Sequence, residues 1–381
     1  MSALDKDKPL AAIAIRQVEK STGASRNAFE QAGALVELGY RVVILAERGK
    51  PALANSHGAE LIRLWRWPLK GPFRRFWFNR CVQAWSRRHR PALLISHGDC
   101  ETQDTVYLHN CVHLAEHYIN GRELPAKHEV ASIHDHVLNT GSFRQVAVNS
   151  RLMERDLMER YGIDPAKIEI SYPGYDPEQF NLERARNGRT RKRDELGVSE
   201  DERLIGLVTS GNFAKRNVMG FIAMAADLDR TFPDRYRFMV VGKDDTTPYS
   251  SLAASVGIAD RMIWRTTVPD VESLYGALDL FVLPAHIEEF GRVVIEAMAC
   301  GTPTLVSERV GASELFSAEY PELVMEHSAS SSEWSIRMGS LIDKPQRDYA
   351  DELPHYIQQF SYVKQRKKLK SSLHQLAVRQ S

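Results

Sequence analysis

The sequence has no pair of cysteines in Cys-x-x-Cys spacing; its four, Cys81, Cys100, Cys111 and Cys300, are scattered. That argues against a disulfide framework and suits free thiols in a reducing compartment. No apolar run approaches the ~20 residues a membrane-spanning helix needs. The opening MSALDKDKPL is too acidic and too polar for a secretory signal, so a cytoplasmic location is expected. Charge of one sign is also lacking: 50 Lys and Arg against 49 Asp and Glu leave +1, and any affinity for polyanions must be local. No repeat of solenoid length is visible. What remains is 381 residues, 43 % hydrophobic and 26 % charged, enough for sizeable cores in two or three domains.

Short apolar, β-branched runs recur along the chain. LAAIAI, RVVILAE, ALLIS, TVYLH, QVAVNS and IEIS read as strands in the first half, and RLIGLVTS, RFMVVG, MIWR, LFVLPA, PTLVS and LVME in the second. Between them lie amphipathic helices such as NAFEQAGALVELG and SRLMERDLMERYG, each closed by glycine. Nearly continuous apolar strands alternating with helices predict parallel sheets covered on both faces. The stretch 182–202 is charged and almost free of large apolar residues, which predicts a linker or an exposed helix between domains. The expected fold is α/β, with two doubly wound Rossmann-like domains facing a central cleft. They span residues 1–180 and 200–358, and a helix at about 360–381 returns to the first. Ligands of such sheets sit beyond the carboxyl ends of the strands.

HIEEFGRVVIEAMACGTP, residues 286–303, concentrates the chemistry. Glu288 is expected on the loop after a buried strand, and Glu296 about one and a half turns into the following helix. The helix start between them offers amides around Phe290, Gly291 and Arg292 to an anion. Carboxylates flanking an anion site suit sugar hydroxyls, which they bind by charge-assisted hydrogen bonds. Ordinary acids on a surface helix would have the same pattern.

This stretch resembles the E-x-F-G-x-x-x-x-E motif of family 4 retaining glycosyltransferases, which have the GT-B fold. VGASELF is similar to the family's G-G-x-x-E, with Val310 where the first glycine is usual. Residues 147–180 resemble its bridge between domains, and residues 21–45 its first loop and helix, with Gly23 at the phosphate-facing turn and Thr22 replacing a second glycine. TSGNFAKRN resembles the variant of this loop in lipopolysaccharide core glucosyltransferases, through Phe213, Lys215 and Arg216. Asn212 stands where many members have arginine. The resemblance implies a nucleotide-sugar donor in the second domain, with Glu288 on the sugar, Glu296 on the ribose, and Lys215 and Arg216 on the diphosphate. Phe290, Gly291, Arg292 and Gly23 complete the donor-binding set, and His109, at a strand end, lies near the reacting sugar; Glu288, His109 and Lys215 form the expected catalytic set. It further implies transfer of a hexose, a UDP-sugar being expected, with retention and without a cofactor or metal. A sugar-nucleotide epimerase or phosphorylase of similar architecture, or an inactive donor-binding scaffold, are the alternatives.

Three other patterns stand out. His113, Glu116 and His117 spell H-x-x-E-H, a possible zinc motif. Asp5–Asp7 and Asp227–Asp229 form DxD strings, read as solvated acids because neither ends a strand. Residues 63–90 hold nine Lys or Arg, four Trp and three Phe without one acid. That composition suits an anionic membrane surface and a glycolipid acceptor, at the inner face of a bacterial inner membrane. The composition would equally suit single-stranded nucleic acid through stacking and phosphate contacts, although no nucleic acid is expected as a partner. A helix burying its aromatics would look the same.

Overall fold

A computed structural model describes residues 8–19, 23–343, 345 and 347–378. Asp5, Asp7 and Thr22 lie outside the described residues. The chain divides into two units, one running to Pro173 and resuming at Val363, the other Gly174–Tyr362.

In the first unit, strands β1 (Leu10–Ala14), β2 (Gln17–Val18), β3 (Arg41–Ala46), β4 (Arg48–Gly49), β5 (Ala59–Arg63), β6 (Leu93–Ser96), β7 (Thr105–Tyr107), β8 (Gln145–Val148) and β9 (Ile168–Ile170) alternate with helices. The helices are α1 (Gly23–Glu37), α2 (Pro51–Asn55), α3 (Pro72–His89), α4 (Val112–Asn120), α5 (Glu129–Thr140) and α6 (Arg151–Tyr161). Seven strands form a parallel sheet in the order β5-β3-β1-β6-β7-β8-β9, and β2 pairs β4 separately. Strand period sorts the apolar residues: Ala11, Ile13, Val42 and Ile44 join one core with Phe29 and Leu35 of α1, while Ala12, Ala14, Val43 and Leu45 join another with Phe78 and Val82 of α3. Runs apolar at every position are therefore explained by burial on both faces.

In the second unit, β10 (Arg203–Val208), β11 (Tyr236–Val241), β12 (Met262–Arg265), β13 (Leu280–Leu283), β14 (Thr304–Ser307) and β15 (Val324–Met325) form a parallel sheet in the order β12-β11-β10-β13-β14-β15. Its helices are α7 (Leu182–Leu196), α8 (Val218–Thr231), α9 (Thr247–Ser255), α10 (Val271–Ala277), α11 (Arg292–Ala299), α12 (Ser331–Asp343) and α13 (Tyr349–Ile357). Strand order reverses between β10 and β13, as it does between β1 and β6 in the first unit. These are the switch points where such sheets open a crevice at the strands' carboxyl ends. α14 (Tyr362–Val378) lies, from Val363 on, in the first unit, where Leu373 and Leu376 enter the core beside α1.

Two expectations need correction. The stretch 182–202 is the expected helix but does not link domains: α7 belongs to the second unit and lies against α10, with Ala185, Gly188 and Leu196 buried. Its arginines dock it by hydrogen bonds, Arg189 donating to the carbonyls of Gly276 and Leu278 and Arg193 to those of Ala277, Ser199 and Glu202. Ala59–Arg63, not anticipated as a strand, is the edge strand β5, half-buried with polar residues in its pattern. Among the described residues, no helix is long and apolar enough to cross a membrane.

Candidate functional site

Four loops at the carboxyl ends of β11, β10, β13 and β14 build the site of the second unit. After β10, Asn212 adopts a left-handed conformation (φ 61°), and the backbone amides of Asn212 and Phe213 donate to Asp244 in the loop after β11, at 2.9 and 2.8 Å. Phe213 is fully buried, edge-on to Tyr249, which anchors the loop bearing the two cations. The amide of His286 donates to the Lys215 carbonyl at 3.1 Å. The amides of Gly311 and Ala312 donate to the carbonyls of Glu288 and Phe290, at 2.8 and 2.7 Å. Backbone bonds thus lace the loops after β10, β13 and β14 together.

Within this frame Lys215 and Glu289 form an ion pair of 2.5 Å, and Arg216 pairs with Glu288. All four side chains are largely shielded from solvent. Burial pushes the Glu288 carboxyl up, against the downward pull of Arg216 and Lys215. Burial likewise lowers the pKa of His286, helped by the charge of Arg309. Gly291 is the N-cap of α11 at φ 90° and contributes no side-chain cap, and Arg292 is the first helical residue. Phe290 is buried. Glu296 lies buried in the second turn of α11 and accepts from the Tyr275 hydroxyl at 3.4 Å. Glu314 is half-buried on the turn Gly311–Leu315. The arrangement offers two cations, a glycine-started helix and four carboxylates, chemistry suited to an anion bearing hydroxyl groups.

In the first unit Gly23 is the first residue of α1, and a side chain there would meet nothing among the described residues within 4 Å. His109 follows β7 and His97 follows β6, on neighbouring strands. His97 Nδ1 lies 2.7 Å from His109 Nε2, and its Nε2 lies 2.9 Å from Gln31 Oε1. Asn27, one turn before Gln31 on α1, reaches His109 Nδ1 at 3.4 Å. Burial, then the neighbouring His109, drives His97 well below the ordinary histidine pKa.

Sequence reasoning missed Glu289, His97, Gln31 and Asp244. The doubled acid at 288–289 and the histidine directly after the run LLIS were the available signals. The H-x-x-E-H residues diverge: His113 bonds Asp135 at 3.2 Å, Glu116 pairs with Arg122 at 2.7 Å, and His117 is exposed. Among the described residues, no group of three or more His, Cys, Asp or Glu could hold a metal ion. Asp227 and Asp229 lie on α8, where Asp227 pairs with Arg230. The region 63–90 splits in two: Phe78 and Val82 are core, while Trp65, Leu69 and Phe73 are 59, 68 and 52 % exposed. Trp65, Trp67, Phe73 and Trp77 form one aromatic cluster, with ring centroids 4.6 to 6.4 Å apart. Exposed Arg63, Lys70 and Arg80 belong to the same stretch.

The sequence model of Glycosyltransferase Family 4 matches residues 21–179, and that of Glycosyl transferases group 1 matches residues 188–361. A D-inositol 3-phosphate glycosyltransferase of Segniliparus rotundus is 32 % identical over 213 residues, 54 % of this chain and 46 % of the relative. The chain spans about half the length of the curated relatives it matches. The crystal structure of WaaG, a glycosyltransferase involved in lipopolysaccharide biosynthesis, superposes with TM-score 0.79 at 20 % identity, over 95 % of this chain and 99 % of that one. Anabaena HepE in complex with UDP-glucose gives TM-score 0.74 at 16 % identity, over 96 % of this chain and 100 % of that one. With both units matched by sequence and the whole fold by structure, the chain belongs to glycosyltransferase family 4 and has the GT-B fold.

Proposed function

We propose that the chain is a retaining, metal-independent glycosyltransferase that moves a hexose from a UDP-sugar to a hydroxyl of a glycolipid of the lipopolysaccharide core type. The observation that carries this reading is the convergence of Lys215, Arg216, Glu288 and the glycine-started helix α11 at the switch point of the second sheet. In this reading Lys215, Arg216 and the α11 amides meet the diphosphate, with Arg292 beside them. Glu288 accepts from sugar hydroxyls and Glu296 from the ribose. Gly23 and His109 contact substrate from the first unit. The bond from the anomeric carbon to the phosphate oxygen breaks, and the acceptor oxygen bonds to that carbon on the same face. The acceptor proton passes to the departing phosphate. Charge grows on that phosphate in the transition state, where fixed cations act most strongly. The relatives' names support a nucleotide-sugar donor and, through WaaG, a lipopolysaccharide acceptor. Exposed Trp65 and Phe73 with their neighbouring cations support peripheral contact with an anionic inner-membrane surface facing the cytoplasm.

The test is transfer of labelled hexose from UDP-hexose to lipopolysaccharide core. We expect a lipid-bound product with the donor's anomeric configuration, formed equally in the presence of EDTA. Arg216→Met and Glu296→Gln each remove a charged hydrogen bond worth about 1.5–3 kcal/mol, a loss of about 10- to 100-fold in kcat/KM. An inverted product, or variants as fast as the parent, would overturn the reading.

A further inference from the structure

We propose that His97, held by Gln31, is a positioning residue that fixes His109 as the neutral tautomer protonated on Nε2, leaving its Nδ1 an acceptor. The inference rests on the assignment of His109 to substrate contact made above. Its ground is a donor and acceptor count along one hydrogen-bonded chain. Gln31 presents Oε1 to His97 Nε2 at 2.9 Å, and a carbonyl oxygen only accepts, so that nitrogen carries the proton. His97 Nδ1 is then a bare lone pair. It lies 2.7 Å from His109 Nε2, which must therefore be the protonated nitrogen of that ring. The far end gives the same answer independently. Asn27 turns its Nδ2–H group to His109 Nδ1 at 3.4 Å, and an N–H needs a lone pair opposite it. Both amides thus agree on one direction of the chain.

The fold holds the parts rigidly. Asn27 and Gln31 share one face of α1, four residues apart, while the histidines end neighbouring strands β6 and β7. Gln31 and His97 are 1 and 7 % exposed, and the two imidazole planes are 29° apart, with ring centroids 4.9 Å apart. Burial keeps His97 uncharged, as the count requires. A proton added to His109 Nδ1 would face the Asn27 N–H, donor against donor.

The experiment is nitrogen NMR of the full chain labelled with 15N-histidine, combined with kinetics. The expected spectrum shows His109 neutral and protonated on Nε2. His97→Leu should give a mixture of His109 tautomers and lower kcat about 10-fold, the size of one misdirected neutral hydrogen bond, with KM for the donor unchanged. His97→Asn, whose Oδ1 can stand where Nδ1 stood, should restore the single tautomer and most of kcat. A His109 protonated on Nδ1 in the parent, or a tautomer untouched by His97→Leu, would overturn the proposal. If the parent spectrum is as expected but no hexose is transferred, the assignment of His109's tautomer stands and the glycosyltransferase reading is what fails.

Discussion

Gly291 stands at φ 90°, where a side chain would lie 3.1 Å from both Glu288 Cγ and Val310 Cγ1. A left-handed conformation costs a non-glycine residue roughly 1–2 kcal/mol before any crowding. Gly291→Ala should therefore lower the melting temperature and, by displacing Glu288, weaken nucleotide-sugar binding more than the stability loss accounts for. Thermal melts with and without UDP-hexose separate the two effects. Lys215 and Glu289 give a second residue-scale expectation. Removing one partner of a buried pair strands the other charge, at about 3–5 kcal/mol. Glu289→Ala should thus destabilise the second unit strongly, and adding Lys215→Met should recover much of the loss in denaturant titrations. Glu288 and Glu296 were legible in the sequence because their spacing straddles a strand end and a helix start. Glu289 was not, because its meaning comes from a partner 74 residues away. Nor was His97, since its role needs α1, β6 and β7 assembled.

At the scale of elements, α7 shows why polarity misleads. Its sequence is rich in arginine, yet those arginines are the docking groups, and its apolar contacts are made by residues too small to register. A side chain at Gly276 would lie 2.2 Å from the Ala185 carbonyl oxygen, so α7 and α10 touch through backbone. Gly276→Val should force them apart and expose α7 to proteolysis. Glu272 adds a pH dependence. Burial raises its carboxyl pKa, but hydrogen bonds from Arg184, its own backbone and Gln179 outweigh burial and hold it below the usual value. The unfolded carboxyl titrates near about 4.3, so the stability it contributes is complete above that and is lost as pH falls through the lower folded value. Corrected hydrogen exchange of α7 amides should accelerate over that acid window, and Glu272→Gln should abolish the acceleration. The apolar strands, by contrast, were legible almost throughout. Burial on both faces leaves no room for polar alternation there, whereas β5 was hidden because edge strands tolerate it.

For the whole molecule, the decisive feature is that the first unit is discontinuous. Leu373 and Leu376 of α14 are 0 and 5 % exposed in its core, and Arg366 and Lys370 both reach Glu37 of α1, at 2.6 and 2.7 Å. Each leucine's burial is worth about 1.5–3 kcal/mol. Ending the chain at Tyr362 should melt the first unit while the second keeps its protection, as read by hydrogen exchange. The aromatic cluster offers a separate expectation at this scale. Trp65→Ser with Phe73→Ser should reduce co-sedimentation with anionic vesicles several-fold and leave the melting temperature unchanged.

The same discontinuity sets an order of events on the ribosome. Domains commonly fold in the order in which they are made. Here the unit that begins first cannot close its core until α14 has emerged, whereas everything from Gly174 to Tyr362 is already available by then. The later-made unit is thus able to mature first. Meanwhile the part of the core beside α1 that awaits Leu373 and Leu376 stays uncovered during synthesis, the interval in which a nascent chain most needs a chaperone.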